Sequence, residues 1–167
     1  MFKALLPALA GVLLLSACGG NNNQHQHDHD AADKTSPSTA ASEINNTIEL
    51  SGGDDMKFNR TNFTVAVNKP VKLTLTHSGK MDRSVMGHNF VLLKPLSDVM
   101  SFAGQAVNAK ETDYVPANDD KVIAFTKLLG GGESQTIEFV LTEKGTYPFL
   151  CSFPGHAGVM RGVILAE

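Results

Sequence analysis

The chain has 167 residues, 42% of them hydrophobic, and carries 14 Lys and Arg against 17 Asp and Glu. That length is expected to hold one domain, and the near-balanced charge leaves no basic field with which to bind nucleic acid.

Lys3 opens a positive stretch, and Ala4 to Leu15 is apolar apart from Pro7 and Gly11. The run is too short for an ordinary membrane-spanning helix and reads as an export signal over residues 1–17. Leu15-Ser16-Ala17-Cys18 resembles a bacterial lipobox, in which the signal is cut before a cysteine that is then acylated. Several acyl chains anchor a protein stably where one is marginal, so membrane residence through Cys18 is the expectation. Gly19 follows rather than Asp. By resemblance to lipoprotein sorting in Gram-negative bacteria, that favours the outer membrane, with the domain facing the periplasm or cell surface.

After Cys18, the stretch to residue 45 is Gly, Asn, Gln, Ser, Thr, Ala and charges with almost no large apolar side chains, so it cannot bury enough surface to fold. It is a tether, with a reach of roughly 30 Å as a flexible coil. His25, His27 and His29 alternate with Gln26 and Asp28. Two readings stay open for them, chelation of copper or zinc and simple solvation.

From residue 46 onward, apolar residues recur at every second position: Phe63, Val65 and Val67; Val71, Leu73 and Leu75; Ile137, Phe139 and Leu141; Tyr147, Phe149 and Cys151. Period two predicts half-buried strands. Shorter runs at Thr47 to Leu50, Asn89 to Leu93, Lys121 to Phe125 and Val163 to Leu165 bring the count to about eight. Turn signals stand at Gly52-Gly53, Asn68-Lys69-Pro70, Gly79 and Gly130-Gly131-Gly132. The pattern is all-β and predicts a two-sheet sandwich. One interval departs from it. Val99, Met100, Phe102, Ala103, Ala106 and Val107 follow helical spacing behind Ser97 as N-cap, with Asp98 in the first turn. One α-helix is therefore inserted, with Gly104 as a costly residue inside it.

With Cys18 acylated, Cys151 has no partner in the chain, and an unpaired cysteine in an oxidising compartment is either buried and inert or held by a metal. Its surroundings read Cys151-Ser152-Phe153-Pro154-Gly155-His156-Ala157-Gly158-Val159-Met160. A tight turn at Pro154-Gly155 can aim a thiolate, an imidazole and a thioether inward from one loop. A fourth donor must come from elsewhere, and the candidate is His88, in Val85-Met86-Gly87-His88-Asn89-Phe90 at the entry to an apolar strand. Two imidazoles, one thiolate and a weak methionine make the blue-copper donor pattern, which suits neither Cu(I) nor Cu(II) fully and so lets both share one geometry.

Met86-Gly87-His88-Asn89 together with Cys151 through His156 and Met160 resembles the azurins, which are cupredoxins. The likeness extends to Gly53-Asp54-Asp55-Met56, Asp113-Tyr114-Val115 and Val122-Ile123-Ala124, and covers most of residues 46–167. It implies a Greek-key, cupredoxin-like β-sandwich holding one type 1 copper ion. Its strong ligands would be His88, Cys151 and His156, with Met160 and the Gly87 carbonyl as distant axial contacts. It implies that the amides of Asn89 and Phe153 hydrogen-bond the cysteine sulfur and tune the potential. It further implies an apolar docking face around His156, formed by Met56, Met81, Val85, Met86, Phe153, Pro154 and Val159. Such a small patch suits short-lived complexes with c-type cytochromes or a copper- or haem-containing reductase. His77 matches a histidine that many azurins keep near the copper; one reading is that it couples proton uptake to redox state, and the favoured one is a packed, neutral histidine.

Two departures stand out. Azurins usually tie the first strand to a later hairpin by a disulfide, and the matching positions here are Asn46 and Lys69; Phe90 stands where a buried indole often sits. A structural zinc site is disfavoured because a thioether is a poor fourth donor. A Cys–His catalytic dyad lacks an orienting third group. A copper enzyme such as a nitrite reductase would need a second metal set. The expectation is an electron carrier without a small-molecule substrate and not an enzyme, the other reading being copper buffering or delivery.

Overall fold

Alternating burial defines the strands in the computed structural model, which describes residues 43–167. The expected export signal, Cys18 and His25, His27 and His29 lie outside the described residues. The strands are β1 (Thr47–Gly52), β2 (Asn62–Val65), β3 (Pro70–His77), β4 (Val91–Leu93), β5 (Val122–Phe125), β6 (Ser134–Val140), β7 (Gly145–Leu150) and β8 (Arg161–Ala166). In β1, Ile48 and Leu50 are buried between exposed Thr47 and Glu49. In β3, Val71, Leu73, Leu75 and His77 point inward. Period two delivers one apolar face per strand, and two such faces close on each other.

One sheet has the order β1-β3-β6 and the other β2-β8-β7-β4-β5. β1 runs parallel to β3 and β2 parallel to β8, and the remaining pairs are antiparallel. The core between the sheets contains Leu50, Leu73, Leu75, Phe90, Leu92, Phe149 and Ile164. Phe90 fills its middle, 5.3 Å from Phe149 and 6.4 Å from Phe139 between ring centroids.

Helix α2 (Val99–Ala106) seals a second cluster, in which Phe102 and Ala106 pack with Val91, Leu93, Val115 and Leu150. β4 is thus covered on both faces, which is why Val91-Leu92-Leu93 is apolar without alternation. The N-cap of α2 is Asp98 rather than Ser97: its carboxylate accepts from the N–H groups of Met100 at 2.9 Å and Ser101 at 3.0 Å. Two single turns fall outside any periodic pattern, the helical turn α1 (Arg83–Met86) and a 3-10 turn at Lys110–Thr112.

Where the disulfide of the resemblance is missing, the Asn46 side chain makes the tie. Its Oδ1 accepts from the Ala66 N–H at 2.9 Å, and its Nδ2 donates to the carbonyls of Pro70 at 3.2 Å and Lys69 at 3.5 Å. Among the described residues no helix is long and apolar enough to cross a membrane.

Candidate metal centre

Three segments converge at one end of the sandwich. α1, N-capped by Asp82, leads into Gly87 and then His88, whose backbone is fixed by a two-bond bridge to Leu129. Cys151 lies one residue beyond β7 and Met160 one residue before β8. Their backbones are joined by Cys151 N–H to Met160 O at 2.9 Å. Between them, Gly155 takes φ +85°, a left-handed conformation that closes the turn and brings His156 back beside the cysteine.

The ligating atoms of His88, Cys151 and His156 all lie within 4.8 Å of one another. Cys151 Sγ is 3.6 Å from His156 Nδ1 and 3.9 Å from the Gly87 carbonyl. Cys151 and His88 are fully buried and His156 is 3% exposed, so bulk water does not reach the cluster. Met160 is fully buried beside it: a Cβ added to Gly52 would lie 2.8 Å from Met160 Cε and 3.1 Å from His88 Cδ2.

His88 donates Nε2–H to the carbonyl of Gly53 at 2.8 Å. Its Nδ1 is then an unprotonated acceptor, buried with no hydrogen-bond partner. The Gly87 carbonyl near the ring can only accept, so it offers that nitrogen nothing. A buried orphan of this kind is costly unless something electron-poor completes it. Two imidazoles, a soft thiolate and a thioether are the donor set for copper, so the residues fit that ion on chemistry as well as on geometry.

Electrostatics favour the same state. Burial lowers the His88 pKa, opposed by the Gly53 carbonyl. Burial pulls His156 down to about 4, with the neighbouring His88 and His77 rings adding to the effect. Both rings are therefore neutral and ready to ligate near neutral pH. Burial pushes the Cys151 thiol up to about 11, while hydrogen bonds from the backbone N–H groups of Asn89 and Phe153 to the sulfur pull the other way.

His77 stacks on His88 with centroids 4.3 Å apart, donates Nε2–H to Met86 O at 2.7 Å and accepts the Gly79 N–H at Nδ1. Around the site Met56, Met81, Val85 and Val159 are exposed, while Met86, Phe153 and Pro154 are half-buried.

The sequence reading did not single out the Gly53 carbonyl or Ser152. Ser152 donates its hydroxyl to Tyr114 O and exchanges two hydrogen bonds with the Asn89 side chain. Gly53 acts through a backbone oxygen and leaves no side-chain signature to find.

Residues 44–167 match the model of the copper-binding proteins of the plastocyanin/azurin family. Azurin of Alcaligenes faecalis is 40% identical over 124 residues, covering 70% of this chain and 94% of that protein. Outer membrane protein H.8 of Neisseria gonorrhoeae is 38% identical over 118 residues, covering 69% and 64%. Among solved structures, auracyanin of Roseiflexus castenholzii superposes with a TM-score of 0.68 at 35% identity, covering 74% of this chain and 98% of that one. An azurin of Methylomonas sp. strain J superposes with a TM-score of 0.67 at 32% identity, covering 72% and 97%.

Proposed function

The chain belongs to the copper-binding plastocyanin/azurin family, and from that membership and the cluster's geometry we propose a type 1 copper electron carrier anchored in a bacterial envelope through Cys18. The bare Nδ1 of His88 beside a buried cysteine and a second neutral histidine is the observation that carries the reading. His88, His156 and Cys151 would hold the ion, with the Met160 thioether and the Gly87 carbonyl as weaker contacts. When bound, the copper supplies a one-electron Cu(II)/Cu(I) couple.

The chain's own part is to keep these donors from moving. Gly53 O pins the His88 ring, the Asn89–Ser152 pair ties the two ligand segments, and Asn89 N–H and Phe153 N–H temper the charge on sulfur. Burial keeps bulk water from the ligand cluster. Exposed Met56, Met81, Val85 and Val159, with half-buried Met86, Phe153 and Pro154, would form the face that meets a c-type cytochrome or a copper- or haem-containing reductase. Exposed methionines suit brief contacts with more than one partner. The likeness to a protein named for the outer membrane supports an envelope location, with the domain facing the periplasm.

A visible spectrum of the Cu(II)-loaded chain tests the reading. It should show an intense thiolate-to-copper band, with reversible one-electron voltammetry and retention of the metal. A chain without that band is not a type 1 copper protein. One that has it but readily gives copper to an apo-acceptor is a delivery protein. Labelled fatty acid incorporated by wild type and not by Cys18→Ala tests the anchor.

A further inference from the structure

Asp113 and Tyr114 sit consecutively in the left-handed region, at φ 57° and φ 61°, though neither is glycine. Such residues are strained and persist only where surroundings fix them. Here the surroundings do: Asp113 N–H bonds Lys110 O, Tyr114 N–H bonds Ala109 O at 2.8 Å, and the Thr112 hydroxyl bonds Val115 O at 2.7 Å. Asp tolerates this conformation through local polar contacts, whereas Tyr has no such relief.

The strain aims two carbonyls inward. Asp113 O accepts from Asn89 Nδ2 at 2.9 Å, and Tyr114 O accepts from the Ser152 hydroxyl at 2.7 Å. Asn89 follows ligand His88 and Ser152 follows ligand Cys151. Asn89 Nδ2 also donates to Ser152 Oγ, and Asn89 Oδ1 accepts the Ser152 N–H, both at 2.8 Å. Every polar atom of these two buried side chains is engaged, with the strained pair as outer support. The Tyr114 ring also meets Phe153 edge-on at 5.3 Å, and Phe153 lies 4.7 Å from the His156 ring.

We propose that Asp113 and Tyr114 are positioning residues for the copper site, a backbone clasp that orients Asn89 and Ser152 and thereby the N–H donors to the Cys151 sulfur; this rests on the copper reading above. The backbone carries the effect, not the charge. The Asp113–Arg83 ion pair at 2.6 Å joins side chains that are 30% and 49% exposed, a setting in which ion pairs contribute little.

The test is a series at one position, graded by tolerance of positive φ: Asp113→Gly, Asp113→Asn, Asp113→Ala and Asp113→Val in the full chain. In the metal-free protein, NMR reads hydrogen exchange of the Asn89 side-chain amide and of the Asn89 and Phe153 backbone amides. In the Cu(II)-loaded protein, the thiolate-to-copper band and the reduction potential are read. Gly and Asn should stay within about twofold of wild-type exchange, while Ala and then Val should accelerate it about tenfold or more, as loss of a buried hydrogen bond implies. The band and potential should shift in the same order. Should Val fail to fold, Asn against Ala still separates the cases. Equal effects of Gly and Ala, or of Asn and Ala, or no effect in any variant, would overturn the clasp. The expected exchange order across the variants, with no intense Cu(II) band in the wild-type chain, overturns the copper reading instead.

Discussion

His88 and Gly53, 35 residues apart in sequence, meet through one hydrogen bond of 2.8 Å from ring Nε2–H to carbonyl, and that bond selects which nitrogen is left for a metal. With Nε2 engaged, Nδ1 keeps its lone pair free in a dry interior. His156 is also neutral near neutral pH because burial holds its pKa to about 4. Cys151, at about 11, is the one ligand that enters the metal-free state protonated.

Copper loading therefore displaces one proton, from sulfur. The logarithm of the apparent affinity should rise by about one for each pH unit between the ordinary histidine value of 6.5, below which both buried imidazoles are held, and the Cys151 value of about 11. Below that window the slope should steepen as the imidazoles protonate. Competition against a chelator of known affinity at several pH values measures it. A flat profile near neutrality would mean that the cysteine is already a thiolate, or is not a ligand.

The same burial makes the metal-free fold sensitive to acid. Unfolding restores His156 to its ordinary 6.5 from about 4, so between these values the unfolded chain binds a proton that the folded chain does not. Stability from this group is full above about 6.5 and is lost as pH falls towards 4, by about 3 kcal/mol at most. Urea midpoints of the metal-free protein across that range should fall with pH, and His156→Gln should flatten the fall. An unchanged slope in the variant would assign the acid sensitivity to other groups.

The sulfur ligands should separate cleanly. Cys151→Ser should abolish the intense blue colour, because a hydroxyl cannot replace the thiolate as donor. Met160→Leu nearly conserves volume at a fully buried position, so stability should change by less than about 1.5 kcal/mol. Copper should stay bound, with a raised reduction potential, since a soft donor to the oxidised metal is lost. Voltammetry and the visible spectrum decide both, and blue colour surviving in the serine variant would refute the ligand assignment.

What the sequence disclosed, it disclosed through short-range signals. Ile48 and Leu50, or Val71, Leu73 and Leu75, announce their strands because an inward face recurs every two residues. Cys151, His156 and Met160 are legible because one ten-residue loop carries all three. The Gly53 carbonyl is a backbone atom brought to His88 by the fold alone, and the Asp113 and Tyr114 carbonyls are equally silent. α1 is four residues long and too short for a period. Ser97 and Asp98 are both good caps, so pattern alone could not choose between them.

Asn46 offers a test of how a missing covalent tie is replaced. Its side chain links the start of β1 to the Ala66 amide and the Pro70 carbonyl. Asn46→Ala strips that amide of its acceptor and should destabilise the chain by about 1–2 kcal/mol. The copper spectrum should not change, since no ligand segment is touched. Denaturant midpoints with and without copper check both halves, and a neutral substitution would show that packing of β1 against β3 holds the edge unaided.

Two glycines make opposite predictions from the same substitution. A Cβ on Gly87 would stand 2.5 Å from Arg83 O and 2.7 Å from Leu128 Cγ, so alanine must push α1 away from the Leu128 segment just where the chain turns into His88. Gly87→Ala should cost about 1–3 kcal/mol, as overpacking does, and should also perturb the Cu(II) spectrum. Gly104 is exposed within α2, and nothing lies within 4 Å of the position its Cβ would take. Gly104→Ala should stabilise by about 0.5–1 kcal/mol through helix propensity alone and leave the spectrum as it is. Urea midpoints and absorption spectra of both variants decide the matter. A Gly87→Ala protein with wild-type colour and stability would show that the backbone entering His88 yields freely, contrary to a pre-set site.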